Sequence, residues 1–112
     1  MKERRKERIE KLLQERLSEF VQQEFPQLLD KFITVSRVEL SGDGRSARVF
    51  ITSMQETDLC VEELNRRAGY LRKLLAEKVN LRYTPSLKFF KDEEAERLRR
   101  IEELFERVKD EE

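Results

Sequence analysis

The chain has 112 residues, enough for one compact domain, and 43% of them are charged. Its 24 basic and 24 acidic side chains cancel, which excludes a globally basic nucleic-acid-binding protein but not a locally basic surface. With no histidine and one cysteine, the chain lacks the usual general base near neutral pH and can form neither an internal disulfide nor a Cys/His zinc site.

The sequence predicts neither a membrane span nor a targeting segment. No apolar run approaches the about 18 residues that a membrane-spanning helix needs. The basic N-terminus has Glu3, Glu7 and Glu10 interleaved, and no apolar segment follows it, unlike a secretory signal or a transit peptide. We therefore expect a cytoplasmic protein that does not bind membranes.

The first segment, from about Lys2 to Gln23, has apolar residues at helical spacing and predicts an amphipathic helix. Its apolar stripe consists of Ile9, Leu12, Leu13, Leu17, Phe20 and Val21. Pro26 has no amide hydrogen, so the helix should end at or before it, and residues 27–31 should form a connection.

Two strands joined by a turn are predicted next. Phe32–Leu40 is rich in β-branched residues, and its apolar positions change phase after Val35, which indicates a bulge or a strong twist. The Ser-Gly-Asp-Gly run at 41–44 is typical of a turn. Ser46–Met54 alternates as a half-buried strand does, and its predicted inner face carries Ala47, Val49 and Ile51.

A second helical stretch should begin at a cap, Thr57 or Asp58, and continue to about Lys78. Gly69 interrupts it, and a glycine inside a helix costs about 1 kcal/mol relative to alanine. We interpret Ala68 and Gly69 as a structural kink or a junction between two helices, where glycine would be needed for a left-handed or tightly packed backbone. Direct approach of RNA to Gly69 is the alternative.

A third strand, Ser86–Lys91, should be followed by a last helix capped by Asp92. The apolar side of that helix consists of Ala95, Leu98, Ile101, Leu104, Phe105 and Val108. The predicted order is therefore α-β-β-α-α-β-α in a single domain spanning residues 1–112, with the acidic end, about 109–112, as a candidate disordered tail.

The outer face of the predicted sheet interleaves basic and aromatic side chains. Phe50 and Phe90 share that face with Arg48 and Lys88. Such a surface can stack RNA bases, or the last helix can fold over it and make both rings ordinary core. We favour the covering helix.

Zero net charge hides a local excess of positive charge. Residues 66–91 contain eight basic residues against Glu77 alone, a net charge of +7. A merely solvated helix face would have nearby acids in similar number, so the excess favours a phosphate-binding surface. The candidate contacts are Arg66, Arg67, Arg72, Lys73, Lys78, Arg82, Lys88 and Lys91. A second candidate group, interspersed with acids and so better explained as a solvated face, is Arg4, Arg5, Lys6 and Arg8.

Three segments together resemble the ribosome-binding factor A family over roughly residues 8–107. Val38–Asp43 followed by Ala47–Val49 resembles V-E-x-S-x-D-x-x-x-A-x-V, and Gly69–Leu75 resembles G-x-[LI]-R-x-x-[LI]. Leu81–Asp92 resembles L-R-x-x-P-x-L-x-F-x-x-D. Two positions depart from the family pattern: Arg67 replaces a small residue two before Gly69, and Phe-Pro-Gln at 25–27 replaces the usual Asp-Pro-Arg turn.

The resemblance implies an α+β fold, a single type II KH-like domain with a three-stranded sheet and an added C-terminal helix. In this family an Ala-x-Gly kink stands where other KH domains have a Gly-x-x-Gly loop. It implies a cytoplasmic factor of late 30S maturation that binds free 30S subunits and 16S rRNA, assists 5′-end processing and supports growth in the cold.

We accordingly expect a monomeric assembly factor rather than an enzyme, with no catalytic residue, metal, cofactor or small-molecule substrate. The alternative from another class is a protein-interaction module that uses the two terminal amphipathic helices and leaves their apolar stripes exposed.

Overall fold

The computed structural model describes residues 2–111, so Met1 and Glu112 of the expected domain lie outside the described residues. The predicted α-β-β-α-α-β-α order is confirmed, with a short 3₁₀ helix in the segment expected to be a plain connection. In chain order the elements are α1 (Glu3–Glu24), the 3₁₀ helix (Pro26–Lys31), β1 (Thr34–Leu40), β2 (Ser46–Thr52), α2 (Thr57–Arg66), α3 (Ala68–Lys78), β3 (Ser86–Lys91) and α4 (Glu93–Glu111).

The sheet has the order β1-β2-β3 and is mixed. β1 and β2 are antiparallel and are joined by the predicted turn, whereas β2 and β3 are parallel. A parallel pair needs a long crossover connection, which α2 and α3 supply. The pairing of β1 with β2 shifts between Val35 and Arg37, which confirms the bulge predicted from the change of phase.

The core lies between the inner face of the sheet and the first three helices. α1 buries the predicted stripe at Leu13, Leu17, Phe20 and Val21. Ala47, Val49 and Ile51 are buried on β2, as the alternation predicted. The other helices add Cys60, Leu64, Leu71 and Leu75. Burial raises the pKa of the Cys60 thiol, consistent with a small core residue.

The junction between α2 and α3 lies at Arg67, not at Ala68 and Gly69 as expected. Arg67 leaves the helical conformation, with φ −109° and ψ 18°. Gly69 lies within α3 at a negative φ, and a Cβ added there would meet nothing within 4 Å. Neither expected reason for a glycine, a left-handed backbone or tight packing, therefore applies to Gly69.

Arg67 holds this junction against the end of α1. Its Nη1 donates to the Glu24 carbonyl oxygen at 3.3 Å, and its guanidinium carbon lies 5.1 Å from the Phe25 ring centroid and 4.6 Å from that of Tyr70. The arginine that replaces a small family residue thus packs between elements rather than adding to an exposed basic surface.

The start of α2 differs from the prediction that Thr57 or Asp58 caps it. The N-cap residue is Glu56, in a left-handed conformation, and it makes no side-chain capping bond. Thr57 is already helical, and its hydroxyl lies 2.6 Å from that of Ser53. The Thr57 hydroxyl is therefore used to tie α2 to the end of β2 instead of to the orphan amides of its own helix.

Asp92 caps α4, as predicted, and also ties it to the sheet. Its Oδ1 accepts from the Ala95 amide at 3.1 Å, and its Oδ2 accepts from Ser36 Oγ at 2.6 Å and lies 3.5 Å from Arg37 Nε. Burial opposes ionisation, but the hydrogen bonds from Ser36 and Ala95 and the charge of Arg37 outweigh it and lower the pKa of Asp92.

The expectation that the last helix covers the outer face of the sheet is wrong. All side chains from Arg97 to Asp110 are exposed, including Phe105 at 71%. Phe50 and Phe90 stack on each other, with ring centroids 5.6 Å apart. Arg37, which pairs with Phe50 across β1 and β2, covers that ring at 3.8 Å and takes the place expected for the helix.

α4 continues through Glu111, so the described part of the acidic end is helical rather than a tail. Its exposed apolar side consists of Leu98, Ile101, Leu104, Phe105 and Val108.

We predict that Asp92→Ala lowers the free energy of unfolding by about 1–2 kcal/mol, because it removes the cap of α4. Since the folded-state pKa is lowered, the charge of Asp92 stabilises the fold above its unfolded pKa, near 3.9, and this contribution is lost as pH falls through the folded value. Urea unfolding followed by circular dichroism over an acidic pH series measures both effects.

Asp92→Asn is the matched control. It retains an oxygen that can accept from Ala95 but has no charge to titrate, so its loss should be smaller and its pH dependence flatter. Equal stability of Asp92→Ala and the unsubstituted protein would contradict the role assigned to this cap.

Candidate nucleic-acid interface

Some of the basic side chains of residues 66–91, which we call the basic segment, converge on one open cleft. We call this the basic cleft. It has a volume of about 580 Å³, and none of the described residues that line it is acidic. It is lined by Arg45, Gly69, Arg72, Lys73, Ala76, Arg82, Tyr83 and Thr84. Four cations from separate parts of the fold thus face a common space, which favours the binding of an anion.

One wall of the basic cleft is a face of α3. Gly69, Arg72, Lys73 and Ala76 follow one another at spacings that place them on one side of a helix. The small residues at both ends of this face leave the helix backbone open. A ligand can therefore approach the α3 backbone at Gly69, between the two cationic side chains and the junction at Arg67.

The opposite wall is the loop that leads into β3. Arg72 Nε and Nη2 both donate to the Thr84 carbonyl oxygen, at 3.2 and 3.0 Å, and so fix the loop to α3. The Ser86 amide donates to the Arg45 carbonyl oxygen at 2.9 Å, which brings the start of β2 beside the start of β3. These contacts place Arg45 and Arg82 opposite α3.

A second cleft, which we call the tyrosine cleft, adjoins the basic cleft and shares Arg82 and Tyr83 with it. It has a volume of about 340 Å³ and lies between the start of α1, the β1–β2 turn and the loop before β3. Its lining comprises Arg5, Ile9, Leu40, Asp43, Gly44, Asn80, Leu81, Arg82, Tyr83 and Pro85.

Asp43, the acidic residue of the tyrosine cleft, is engaged in its own turn. Its Oδ1 accepts from Ser41 Oγ at 2.7 Å and from the Arg45 amide at 3.0 Å. The hydrogen bond from Ser41 is the main reason that the pKa of Asp43 is lowered, so the group remains a carboxylate.

The structure separates the other candidate phosphate contacts of residues 66–91 from the basic cleft. Arg66 pairs with Glu63 at 2.7 Å, and Lys91 pairs with Glu96 at 3.3 Å. Arg67 is held against α1. Lys78 is exposed at the end of α3 and does not line either cleft. Of the eight candidates, the basic cleft brings together Arg72, Lys73 and Arg82.

Lys88 lies apart, on the outer face of the sheet. Its Nζ is 5.5 Å from the Phe90 ring centroid. On the same face, Glu39 pairs with both Arg48, at 2.6 Å, and Arg37. The outer face therefore has much of its positive charge neutralised within the fold, whereas the basic cleft does not.

The N-terminal candidates are only partly joined to the clefts. Arg5 lines the tyrosine cleft with Arg82, so the two candidate groups meet there. Arg4, Arg5 and Arg8 share a shallow surface with Lys2, and Lys6 is half-buried. Acidic neighbours along α1 remain, as the sequence indicated.

Sequence reasoning missed Arg45 and Tyr83. Arg45 lies outside the basic segment and joins it only because β2 and β3 are parallel and in register from Ser46 and Ser86. Tyr83 follows Arg82 directly and lies close to Pro85 in the sequence. A basic residue beside an aromatic one in a loop is typical of nucleic-acid binding and could have indicated this position.

The described residues contain neither a candidate metal site nor a candidate membrane-spanning helix. Within residues 2–111, no group of three or more His, Cys, Asp or Glu side chains is arranged to hold a metal ion. No helix in that range is long and apolar enough to cross a membrane.

Comparison with known proteins identifies the family. The family model described as ribosome-binding factor A matches residues 5–105. Ribosome-binding factor A of Halothermothrix orenii is 37% identical over 115 aligned positions, covering 100% of this chain and 94% of the relative. That of Pseudothermotoga lettingae is 39% identical, covering 78% of this chain and 76% of the relative.

Solved structures agree in fold. The crystal structure of ribosome-binding factor A from Thermus thermophilus matches with a TM-score of 0.70 and 32% identity, over 77% of this chain and 94% of that one. A Thermus thermophilus homology model fitted into a cryo-EM map of a 30S complex matches with a TM-score of 0.61 and 32% identity, over 71% of this chain and 87% of that one. With its KH-like fold and these matches, the chain belongs to the ribosome-binding factor A family.

Proposed function

We propose that this protein is a maturation factor of the small ribosomal subunit that binds free 30S particles and contacts 16S rRNA through the basic cleft. In this proposal it is a cytoplasmic monomer that assists 5′-end processing of 16S rRNA and supports growth in the cold. It acts by binding and has no catalytic role. The convergence of Arg45, Arg72, Lys73 and Arg82 without an acidic residue in the described lining supports it. A relative of the same fold, fitted into a 30S complex, supports the choice of partner.

Binding in this mechanism is dominated by neutralisation of phosphates. Arginine guanidinium groups bind phosphate oxygens through paired N–H donors, and the lysine ammonium acts as a compact positive charge. Such contacts release counterions and fix the position of the protein on RNA without reading its sequence. The shape of the cleft, with open backbone at Gly69, then selects where the protein docks.

The candidate contacts have different roles in this proposal. Arg72, Lys73 and Arg82 contact phosphates directly, as do Arg5, from the second candidate group, and Arg45, which the sequence did not indicate. Arg66 and Lys91 contribute less because nearby carboxylates already neutralise them. Lys78, Lys88, Arg4 and Arg8 contact RNA only where it extends beyond the clefts, and Arg67 serves the α2–α3 junction.

The first test is the salt dependence of 30S association. If about five phosphates are contacted, the logarithm of the association constant should fall with the logarithm of salt concentration at a slope of about −4 to −5. Co-sedimentation with free 30S subunits over a salt series measures this slope. A flat response contradicts the electrostatic mechanism.

The second test is charge reversal within the basic cleft. Arg72→Glu combined with Lys73→Glu should weaken 30S association at least about tenfold and make the salt slope shallower by about 2. Both side chains are exposed and lie outside the core, so the circular dichroism spectrum should be retained even though the two hydrogen bonds from Arg72 to the Thr84 carbonyl oxygen are lost.

Arg16→Glu combined with Arg107→Glu is the matched control, with the same change in net charge at exposed positions that line neither cleft. It should retain binding within about twofold, because long-range charge is screened beyond about 10 Å. Equal losses for the two pairs would show that net charge, not the cleft, determines association.

A protein-interaction function is the second candidate, and the exposed apolar side of α4 favours it. This function predicts exposed apolar stripes on both terminal helices. Only α4 has one, because α1 buries its stripe in the core. Leu104 and Phe105 on α4 are 61% and 71% exposed. An exposed apolar stripe is typical of a helix that pairs with another surface.

Light scattering distinguishes the two candidates. The monomer proposal expects the mass of one 13.6 kDa chain at all concentrations. The interaction candidate expects a mass that rises with concentration and returns to that of one chain in Leu104→Gln combined with Phe105→Gln.

A further inference from the structure

The exposed ring of Tyr83 lies where the two clefts meet and is not used by phosphate contacts. Its side chain belongs both to the cation-lined basic cleft and to the tyrosine cleft, and 47% of its surface is exposed. An aromatic ring beside a row of cations matches the alternation of base and phosphate along a nucleic-acid strand.

We propose that the tyrosine cleft receives an unpaired nucleobase, which stacks on Tyr83, so that this surface recognises single-stranded RNA rather than duplex. This inference rests on the proposed function and adds the class of RNA to it. In a duplex the faces of the bases are covered by their neighbours, and only backbone and groove edges would reach the clefts.

The lining of the tyrosine cleft is suited to a base. Ile9, Leu40 and Pro85 provide apolar surface, and polar groups come from Asn80 and Asp43. Its volume of about 340 Å³ lies at the lower end of the range of small-ligand pockets, about 300–1,000 Å³. A flat ring that carries hydrogen-bonding edges can therefore be accommodated.

Arginines near the ring suit the phosphates next to that base. The guanidinium groups of Arg45 and Arg82 lie over the Tyr83 ring, with their central carbons 4.9 and 5.7 Å from its centroid, so a stacking base displaces one of them from the ring toward the adjacent phosphate. Arg82 lines both clefts, and Arg5 on α1 also lines the tyrosine cleft. A strand that places a base on Tyr83 can thus continue from Arg5, past Arg82, into the basic cleft.

The charge of Asp43 sets a direction within the cleft. A carboxylate repels phosphate but accepts hydrogen bonds from base N–H groups. The phosphates are therefore expected on the arginine side and the base edge on the side of Asp43.

The test uses the full-length protein with a short unpaired oligoribonucleotide and with the duplex that it forms with its complement. Tyr83→Ala should weaken binding of the single strand about fivefold or more, the effect of losing one stacked base, and leave duplex binding within about twofold. Its salt slope should be unchanged, because no cation is removed. Tyr83→Phe, the matched control, keeps the ring and should keep the affinity.

Tyrosine fluorescence provides a readout that a purely structural role would not change. The chain has no tryptophan and two tyrosines, so Tyr70→Phe leaves Tyr83 as the only tyrosine. Stacking of a base should quench its emission on titration with single strand, and much less with duplex.

The outcomes separate this inference from the proposed function. Unchanged single-strand affinity in Tyr83→Ala, or emission insensitive to the single strand, overturns base stacking while charge reversal at Arg72 and Lys73 can still weaken 30S association. If 30S association is unchanged both in Tyr83→Ala and in the charge-reversal variant at Arg72 and Lys73, the proposed function is overturned as well.

Discussion

The parallel pairing of β2 with β3 determines where the cations of this protein meet. Its register begins at Ser46 and Ser86. The residues that precede the two strands therefore become neighbours, with Arg45 before β2 and Tyr83 and Thr84 before β3. Arg72 then binds the Thr84 carbonyl oxygen and holds α3 against the same loop. Without this pairing, Arg45 and Arg72 would belong to separate surfaces, and the basic cleft would not exist.

The two hydrogen bonds of Arg72 to Thr84 give this side chain a structural as well as an electrostatic part in the cleft. A guanidinium that is already held by the backbone loses less conformational freedom when it binds a phosphate than a mobile side chain does. Lys73, its neighbour, is an exposed lysine on the same helix face. The cleft therefore combines a fixed cation with a flexible one, which suits a ligand recognised by shape and charge rather than by base sequence.

Individual arginines show why local charge does not by itself define a binding surface. Arg67 belongs to the most basic segment, yet it packs between Phe25 and Tyr70 and binds the end of α1. Arg37 lies on the outer face of the sheet, where it covers Phe50 and contacts Asp92. Each stabilises the fold by joining elements, so neither offers a free charge to an anion.

The sequence by itself determined the order of elements, the bulge in β1, the cap at Asp92 and, through the alternation of Ala47, Val49 and Ile51, the inner face of β2. These features follow from hydrophobic periodicity and from side chains that bond to backbone a few residues away, and both are local properties. The family resemblance likewise depends on spacings along the chain.

Only the tertiary structure decided which charges act together. It added Arg45 and Tyr83 to the candidate site, turned Arg67 inward, and left α4 uncovered beyond the sheet. The physical reason is that strand pairing and helix packing join residues about 40 positions apart, and no local pattern encodes which distant partner a side chain will contact.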